Sequence, residues 1–209
     1  MSHDDHHHET KPESATSPLA ARVRAMEALL VEKGVVTEAE IQDNVAYMDS
    51  RSPANGARLV ARAWFDEDFK TRLLSDAKAA AKEIGLEPDH PAEIVVVENT
   101  LEVHNLIVCT LCSCYPRSIL GRPPDWYKSF EYRSRAVREP RAVMSEFGFE
   151  PPDGTRVAVH DSTADVRYMV LPMRPAGTGG MDEAGLAGLV TRDCLIGVDI
   201  PRARAAARA

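Results

Sequence analysis

The chain has 209 residues, of which 44% are hydrophobic and 27% charged, a composition that suits one globular domain with an extension. Its 32 acidic residues outnumber its 25 basic ones and give a formal charge of −7 at pH 7, which argues against a surface for nucleic acid or anionic membranes. No stretch approaches the roughly 20 apolar residues of a membrane span, and the start lacks the pattern of a signal peptide. We therefore expect a cytoplasmic protein.

The chain opens with a polar tail followed by a helix. Residues 1–16 are rich in histidine, acidic and small residues, which predicts a disordered tail. Ser17 and Pro18 offer an N-cap and a first-turn proline. Apolar residues then recur at helical spacing and predict a helix over about 18–33.

Further helices are predicted up to residue 86. Thr37 and Glu40 form the signature of a capping box, which predicts the start of a second helix. Apolar stripes over 57–64 and 69–84 predict two more. Because residues 17–86 have repeated apolar faces and little sequence in which to bury them, we expect this helical arm to pack on something else.

Residues 87–200 are predicted to form a globular layered α/β domain, so the fold class is α+β. Two runs rich in β-branched residues, 94–97 and 103–108, predict buried strands flanking a turn at Thr100 and Leu101. The other predicted elements are helices over 125–147 with an interruption near Pro140, a strand pair over 156–160 and 167–171 around a turn at 161–163, and a helix over 182–190. Residues 201–209 are expected to be a frayed end.

Residues 109–114 read Cys-Thr-Leu-Cys-Ser-Cys and hold three of the four cysteines. Thiolates are soft ligands, and three of them in six residues leave little loop closure to arrange around one transition-metal ion. Only Ser113 separates Cys112 from Cys114, so a loop that turns both sulfurs toward one ion brings the backbone nitrogens of Ser113 and Cys114 close to it. This segment also begins where a predicted strand ends, a common position for chemistry.

Other interpretations of these cysteines remain open at this point. A structural zinc site needs a fourth ligand, which His104, Cys194 or a tail histidine would have to supply. A Cys-x-x-Cys redox pair leaves Cys114 unexplained, and a disulfide framework is unusual in a chain of this size without a signal peptide. The corresponding functions are a non-catalytic zinc-binding module and a redox or metal-delivery protein.

The residues around the cysteines resemble the metal-binding segment of nitrile hydratase α subunits. Residues 108–116 read Val-Cys-Thr-Leu-Cys-Ser-Cys-Tyr-Pro, followed by Leu120-Gly121 and by Pro-Pro-Asp-Trp-Tyr-Lys at 123–128. The likeness covers about residues 20–200. It includes the stretches at 97–100, 132–135, 137–141, 167–172, 174–178 and 190–193. The cysteine segment is specific to this family and to its close relative, thiocyanate hydrolase.

The resemblance implies a low-spin trivalent metal ion in this loop. Its ligands would be the sulfurs of Cys109, Cys112 and Cys114 and the amide nitrogens of Ser113 and Cys114, with a sixth position open to water or nitrile. It further implies that Cys112 is oxidised to sulfinic acid and Cys114 to sulfenic acid. The sulfenate oxygen would act as nucleophile or general base, so Cys112, Ser113 and Cys114 are the expected catalytic residues.

The metal is expected to be Co(III), one per subunit, with Fe(III) as the alternative. Thr110 follows the first cysteine, as in cobalt members of the family, whereas iron members usually have serine there. The stretches at 126–132 and 193–198 nevertheless also resemble iron-type sequences.

Four further residues are candidates for the pocket or the surroundings of the ligands. Arg117 stands where nitrile hydratases commonly have tryptophan, and it resembles the γ subunit of thiocyanate hydrolase, whose substrate is an anion; alternatively it turns outward or pairs with a partner carboxylate. His90 replaces a common glutamine and is expected in a surface loop. Asp161 and Asp165 match carboxylates that the family places near the ligands, although Asp161 could equally cap a turn.

The resemblance thus implies the α subunit of a nitrile hydratase, which converts nitriles to amides; a thiocyanate hydrolase γ-type subunit is the alternative. The expected partners are a β subunit, in a heterotetramer of two α and two β subunits, a metallochaperone or activator protein for maturation, and a small nitrile substrate. The helical arm would wrap around the β subunit, whose arginines would hydrogen-bond the cysteine oxygens. Neither nucleic acid nor membrane is an expected partner.

Overall fold

The computed structural model describes residues 17–88 and 91–203. The tail expected over 1–16, the loop residue His90 and the last part of the expected frayed end, 204–209, lie outside the described residues. No described helix is long and apolar enough to cross a membrane.

The described chain divides into two compact units, one ending at Ser50 and one beginning at Arg51. The first unit holds α1 (Pro18–Glu32) and α2 (Glu38–Asp49). The Ser17 hydroxyl accepts a hydrogen bond from the Ala20 N–H and caps α1, and the predicted capping box of α2 is confirmed. Neither helix buries any of its residues in the described chain.

The second unit begins with α3 (Pro53–Phe65), α4 (Glu67–Ser75) and α5 (Ala77–Glu83). The single helix predicted over 69–84 is wrong, because Asp76 interrupts it. The Asp76 N–H closes α4 on the Arg72 carbonyl at 2.8 Å, while its carboxylate accepts from the Ala79 N–H at 2.9 Å and starts α5. One side chain thus caps the second helix where the first ends.

Four strands follow, β1 (Glu93–Glu98), β2 (Val103–Val108), β3 (Arg156–Asp161) and β4 (Val166–Leu171). All are close to their predicted positions, but the predicted pairing of β3 with β4 is wrong. β1 pairs in parallel with β4, and β2 in parallel with β3. The physical reason is clearest at β2, where every residue from His104 to Val108 is buried. A strand covered on both faces suits parallel pairing, whereas a hairpin with one wet face would alternate.

Short helices complete the second unit. Helical structure over 125–147 and its interruption at Pro140 are confirmed, and Ser129 adds a second break by capping the helix that follows it. Two short helices, at 117–120 and 192–196, were not predicted. The bounds are α6 (Arg117–Leu120), α7 (Asp125–Lys128), α8 (Phe130–Arg138), α9 (Pro140–Glu146), α10 (Glu183–Ala187) and α11 (Arg192–Ile196).

Helices α3 to α5 share one hydrophobic core with the strands. Leu59 of α3 and Phe69 of α4 belong to the same buried cluster as Leu106 of β2 and Met169 of β4. The apolar stripes of these three helices are therefore buried within the chain itself, in the compact unit that starts at Arg51.

A buried polar network connects the strands to α11. The Asn99 carboxamide oxygen accepts from the Asn105 N–H at 2.8 Å, and the Asn99 amide nitrogen lies 3.2 Å from His104 Nδ1. His104 Nε2 lies 2.7 Å from the Gly197 carbonyl oxygen. Gly197 has φ +91°, and an added Cβ would lie 2.0 Å from the Asn105 carbonyl oxygen, so only glycine fits this approach.

This network predicts a pH-dependent stability. Burial lowers the pKa of His104, and the charge of Arg141 lowers it further, while the Gly197 carbonyl opposes them. Because the folded pKa lies below the unfolded value of about 6.5, the unfolded chain binds more protons below that pH, and stability falls as the pH falls. Burial lowers the pKa of His160 as well, which acts in the same direction.

We therefore expect the melting temperature of the protein to fall between about pH 7.5 and pH 5, a range that spans the ordinary pKa of histidine. His104→Gln, which does not titrate, should shrink that difference while lowering the melting temperature at the higher pH. His160→Gln, at a half-buried site, should shrink it less. If His104→Gln leaves the difference in melting temperature between the two pH values unchanged, His104 is not the group responsible for it.

Candidate metal centre

The candidate site lies in the loop that leaves β2, beside the end of β3. The two strands run in parallel and end together, with Val108 opposite Asp161, and the Ser162 N–H extends the ladder to the Val108 carbonyl at 2.7 Å. The first residue of the loop, directly after Val108, is Cys109, which is fully buried. The sheet thus fixes the first cysteine.

The three loop cysteines bring their sulfurs together. Cys109 Sγ lies 3.5 Å from Cys112 Sγ, which lies 3.2 Å from Cys114 Sγ, and all three atoms are within 4.8 Å of one another. The thiols are free; Cys109 is buried, Cys114 half-buried and Cys112 exposed. Three soft donors at these separations fit one transition-metal ion.

The electrostatics of the cluster also favour a cation. Hydrogen bonds from Cys114 and Cys109 lower the pKa of the Cys112 thiol to about 7, and the backbone N–H groups of Ser113 and Cys114 lower it further. Burial raises the pKa of Cys114 to about 12, and its bond to Cys112 adds to the rise. Adjacent thiols therefore resist joint ionisation, and a bound cation would compensate the charge of all three thiolates.

Asp161 holds the residue after the first cysteine. Its carboxylate accepts from the Thr110 N–H at 2.9 Å and from the Thr110 hydroxyl at 2.5 Å, and an Arg133 guanidinium nitrogen donates to the Thr110 carbonyl at 3.3 Å. Asp161 therefore contacts the cysteine loop itself.

A buried tyrosine holds the other end of the loop. The Tyr127 hydroxyl donates to the Cys114 carbonyl at 2.8 Å, and its ring lies edge-on to Tyr115 with centroids 5.2 Å apart. Burial raises the pKa of Tyr127, so the phenol stays protonated and keeps its role as donor at neutral pH.

The other residues predicted for the site make fewer contacts than Asp161. Arg117 begins α6 and is exposed, and among the described residues its side chain has no hydrogen bond or ion pair. The Asp165 carboxylate is exposed and also makes no such contact in the described chain; its backbone carbonyl accepts from the Glu93 N–H at 2.7 Å. Ser113 is half-buried between its two cysteines.

The described residues supply no fourth zinc ligand at this cluster. His104 Nε2 is engaged with the Gly197 carbonyl, and the buried Cys194 thiol lies 3.2 Å from the Thr191 hydroxyl. The group of possible metal donors found in the described chain contains the three loop cysteines alone. A closed four-ligand zinc site therefore has no support among these residues.

Sequence reasoning assigned no role to three residues that surround the loop. Arg133 and Tyr127 bond its backbone. Arg167 carries a positive charge that opposes the rise in the pKa of Cys114, which burial chiefly causes. All three lie in stretches that carried the resemblance, but their contacts depend on helices and a strand whose packing the local pattern does not reveal.

Comparisons with known proteins show the family to which the chain belongs. A sequence model of the family described as nitrile hydratase, alpha chain, matches residues 17–199. The chain is 53% identical to the low-molecular weight cobalt-containing nitrile hydratase subunit alpha of Rhodococcus rhodochrous, over 88% of this chain and 89% of that protein. It is 40% identical to the thiocyanate hydrolase subunit gamma of Thiobacillus thioparus, over 85% of this chain and 78% of that protein.

A solved structure also matches. A double mutant of the Fe-type nitrile hydratase from Comamonas testosteroni has a TM-score of 0.81 and 47% identity, over 91% of this chain and 94% of that one. Fold and thiol cluster together define an α+β protein with an N-terminal helical region and a candidate metal site in one short loop. The chain belongs to the nitrile hydratase alpha-chain family, and the predicted fold class is confirmed.

The exposure of the thiols predicts their reactivity in reduced, metal-free protein. We expect iodoacetamide to modify Cys112 at least about tenfold faster than the other cysteines, because it is exposed and hydrogen bonds from Cys114 and Cys109 lower its pKa to about 7. Cys194 should react slowly, since it is buried and burial raises its pKa. Mass spectrometry of the alkylated peptides over time measures the order. Equal rates at Cys112 and Cys194 would contradict the geometry.

Proposed function

We propose that this chain is the catalytic α subunit of a nitrile hydratase, which adds water to a nitrile and releases an amide. The observation that carries the proposal is the group of three free sulfurs within 4.8 Å in the Cys-Thr-Leu-Cys-Ser-Cys loop. Membership of the family and 53% identity to a relative named as a nitrile hydratase subunit support it.

Cys109, Cys112 and Cys114 would hold the metal through sulfur, and Ser113 and Cys114 through their amide nitrogens. Cobalt as Co(III) is the proposed metal, because Thr110 follows the first cysteine and relatives are named as cobalt-containing; Fe(III) is the alternative, since an Fe-type structure also matches. When bound, the metal supplies a Lewis acid at an open position, which polarises the nitrile toward attack.

The loop residues would then prepare the attack on the nitrile carbon. We propose that maturation by an external oxidant converts Cys112 to the sulfinic and Cys114 to the sulfenic form. The Cys114 oxygen would either take a proton from the attacking water or attack the carbon itself. Asp161, which bonds Thr110 twice, would keep the loop in place during the reaction. The net change is the addition of one water across the carbon–nitrogen triple bond.

A β subunit is part of the proposal, in a heterotetramer of two α and two β subunits, together with an activator protein that delivers the metal. The loop is open on one side, where Leu111 is 86% exposed and Cys112 is exposed. Partner arginines would cover this side and hydrogen-bond the cysteine oxygens. The α1 and α2 unit would form the part of the arm that contacts the partner, in a cytoplasmic enzyme.

A thiocyanate hydrolase γ-type subunit is the second candidate. A relative with that function is 40% identical, and Arg117 is an exposed cation that begins the helix after the cysteine loop. A guanidinium there would suit an anionic substrate.

Substitution of the ligands tests the proposal. Each of Cys109→Ser, Cys112→Ser and Cys114→Ser should reduce bound cobalt to below about a tenth and abolish nitrile hydration, because each thiolate is an irreplaceable soft ligand. Cys194→Ala is the matched control and should keep metal and activity. Elemental analysis and amide formation in the co-expressed complex measure both, and peptide mass spectrometry measures oxygen on Cys112 and Cys114. A cobalt-replete, active Cys112→Ser protein would remove the assignment.

Assembly gives another prediction. Because α1 exposes apolar side chains such as Leu19 (57%) and Met26 (63%), the chain without its partner should self-associate, and co-expression with the β subunit should prevent this. Met26→Lys should reduce self-association of the lone chain, whereas Leu101→Lys, at an exposed loop position, should not. Light scattering after gel filtration measures the effect. A monodisperse, active lone chain would contradict the prediction.

Substrate charge is tested at Arg117. We expect Arg117→Trp to raise turnover of apolar nitriles and to weaken inhibition by thiocyanate. Arg117 is exposed in this chain, but the partner subunit and the substrate would bury its guanidinium beside an apolar substituent, which is costly when it is unpaired. Arg122→Trp, at another exposed arginine, is the control. Kinetics on an aliphatic and an aromatic nitrile, with a thiocyanate inhibition series, measure both. Changes within about twofold would mean that Arg117 is solvated and would remove the pocket argument for the second candidate.

A further inference from the structure

The two outer cysteines of the loop are held in different ways. Cys109 directly follows β2, whose end is fixed by the ladder to β3. Cys114 lies beyond the last strand pairing, and the exposed residues Leu111 and Cys112 separate it from the sheet. The strand pairing therefore does not fix Cys114, and its position depends on contacts made by Cys114 itself and by the residues that follow it.

Tyr127 supplies those contacts from α7. Its side chain is fully buried, and its hydroxyl donates to the Cys114 carbonyl at 2.8 Å. Its ring also packs edge-on against Tyr115, the residue that follows Cys114 in the chain. The hydroxyl thus bonds the Cys114 carbonyl, while the ring packs against the side chain of the next residue, Tyr115.

We infer that Tyr127 is a positioning residue for the metal centre, whose hydroxyl fixes the Cys114 backbone and so the direction of the Cys114 sulfur. The inference rests on the proposed function, since it concerns a ligand of the proposed metal. The described residues show a hydrogen bond from Tyr127 to the Cys114 carbonyl and none to the Cys114 sulfur, so Tyr127 acts through the backbone. The loop is therefore held at its start by the sheet and at its end by one phenol.

Tyr132 offers a matched comparison within the same aromatic cluster. It is also buried, its ring centroid lies 5.7 Å from that of Tyr127, and its hydroxyl donates to a backbone carbonyl, that of Ile107, at 2.6 Å. Ile107 lies within β2 and is already paired with His160 of β3. Loss of the Tyr132 hydroxyl therefore removes a bond of the same kind from a residue whose position the ladder secures.

The experiment compares Tyr127→Phe and Tyr132→Phe in the co-expressed, cobalt-loaded complex. Both changes remove one buried hydroxyl and keep the ring, so both should lower the melting temperature to a similar extent. Tyr127→Phe alone should shift the sulfur-to-cobalt charge-transfer absorption and reduce the cobalt content to less than about half of that in the unsubstituted complex. Tyr132→Phe should keep the unsubstituted spectrum and cobalt content.

The outcomes separate the inference from the proposed function. An unsubstituted complex without cobalt or iron would remove the proposed function and the inference with it. A loaded complex in which Tyr127→Phe keeps the spectrum and cobalt content would remove the inference alone. Equal changes in both variants would mean that the Tyr127 hydroxyl only stabilises the fold, and would overturn the inference. Failure of Tyr127→Phe to accumulate as folded complex, when Tyr132→Phe does accumulate, would overturn the inference for the same reason.

Discussion

The parallel pairing of β2 with β3 is the constraint on which the candidate site depends. Because the strands run the same way and end in register at Val108 and Asp161, the loop that leaves one strand starts beside the carboxylate that ends the other. That neighbourhood gives Thr110 its two bonds to Asp161. An antiparallel pairing would place the two strand ends at opposite edges of the sheet, and the cysteine loop would lose this support.

Polar groups buried on either side of this pairing hold it in place. The Tyr132 hydroxyl, from α8, donates to the Ile107 carbonyl. The Asn105 side-chain oxygen accepts a hydrogen bond from His160 Nε2 at 2.8 Å. Each of these atoms has its partner, so burial costs little and the register is specified. The rigidity of the loop thus comes from residues distant in sequence, while its donor atoms come from six consecutive residues.

Those features of the fold and of the site that depend on neighbouring residues in the chain could be predicted from the sequence. The capping box at Thr37, the strands and the cysteine cluster all follow from short-range patterns. The pairing of the strands did not follow, because adjacency in the chain favoured β3 with β4, and apolar runs do not encode which neighbour they meet. The helix break at Asp76 was missed because an apolar stripe continued across it. The hydrogen bond from Tyr127 to Cys114 was not predicted, because it requires α7 and the cysteine loop to be placed together.

The crossed pairing of the strands also bears on how the chain reaches this structure. Neither sheet can begin as a hairpin, since Val103 must find Arg156 and Glu93 must find Val166, and such distant closures are slow. The cysteines, in contrast, meet within one turn of chain. The six-residue loop needs much less chain closure than either sheet, so we expect the thiols to be able to meet before the residues that support them. Protection of the thiols in a nascent chain would then depend on how quickly the sheets close.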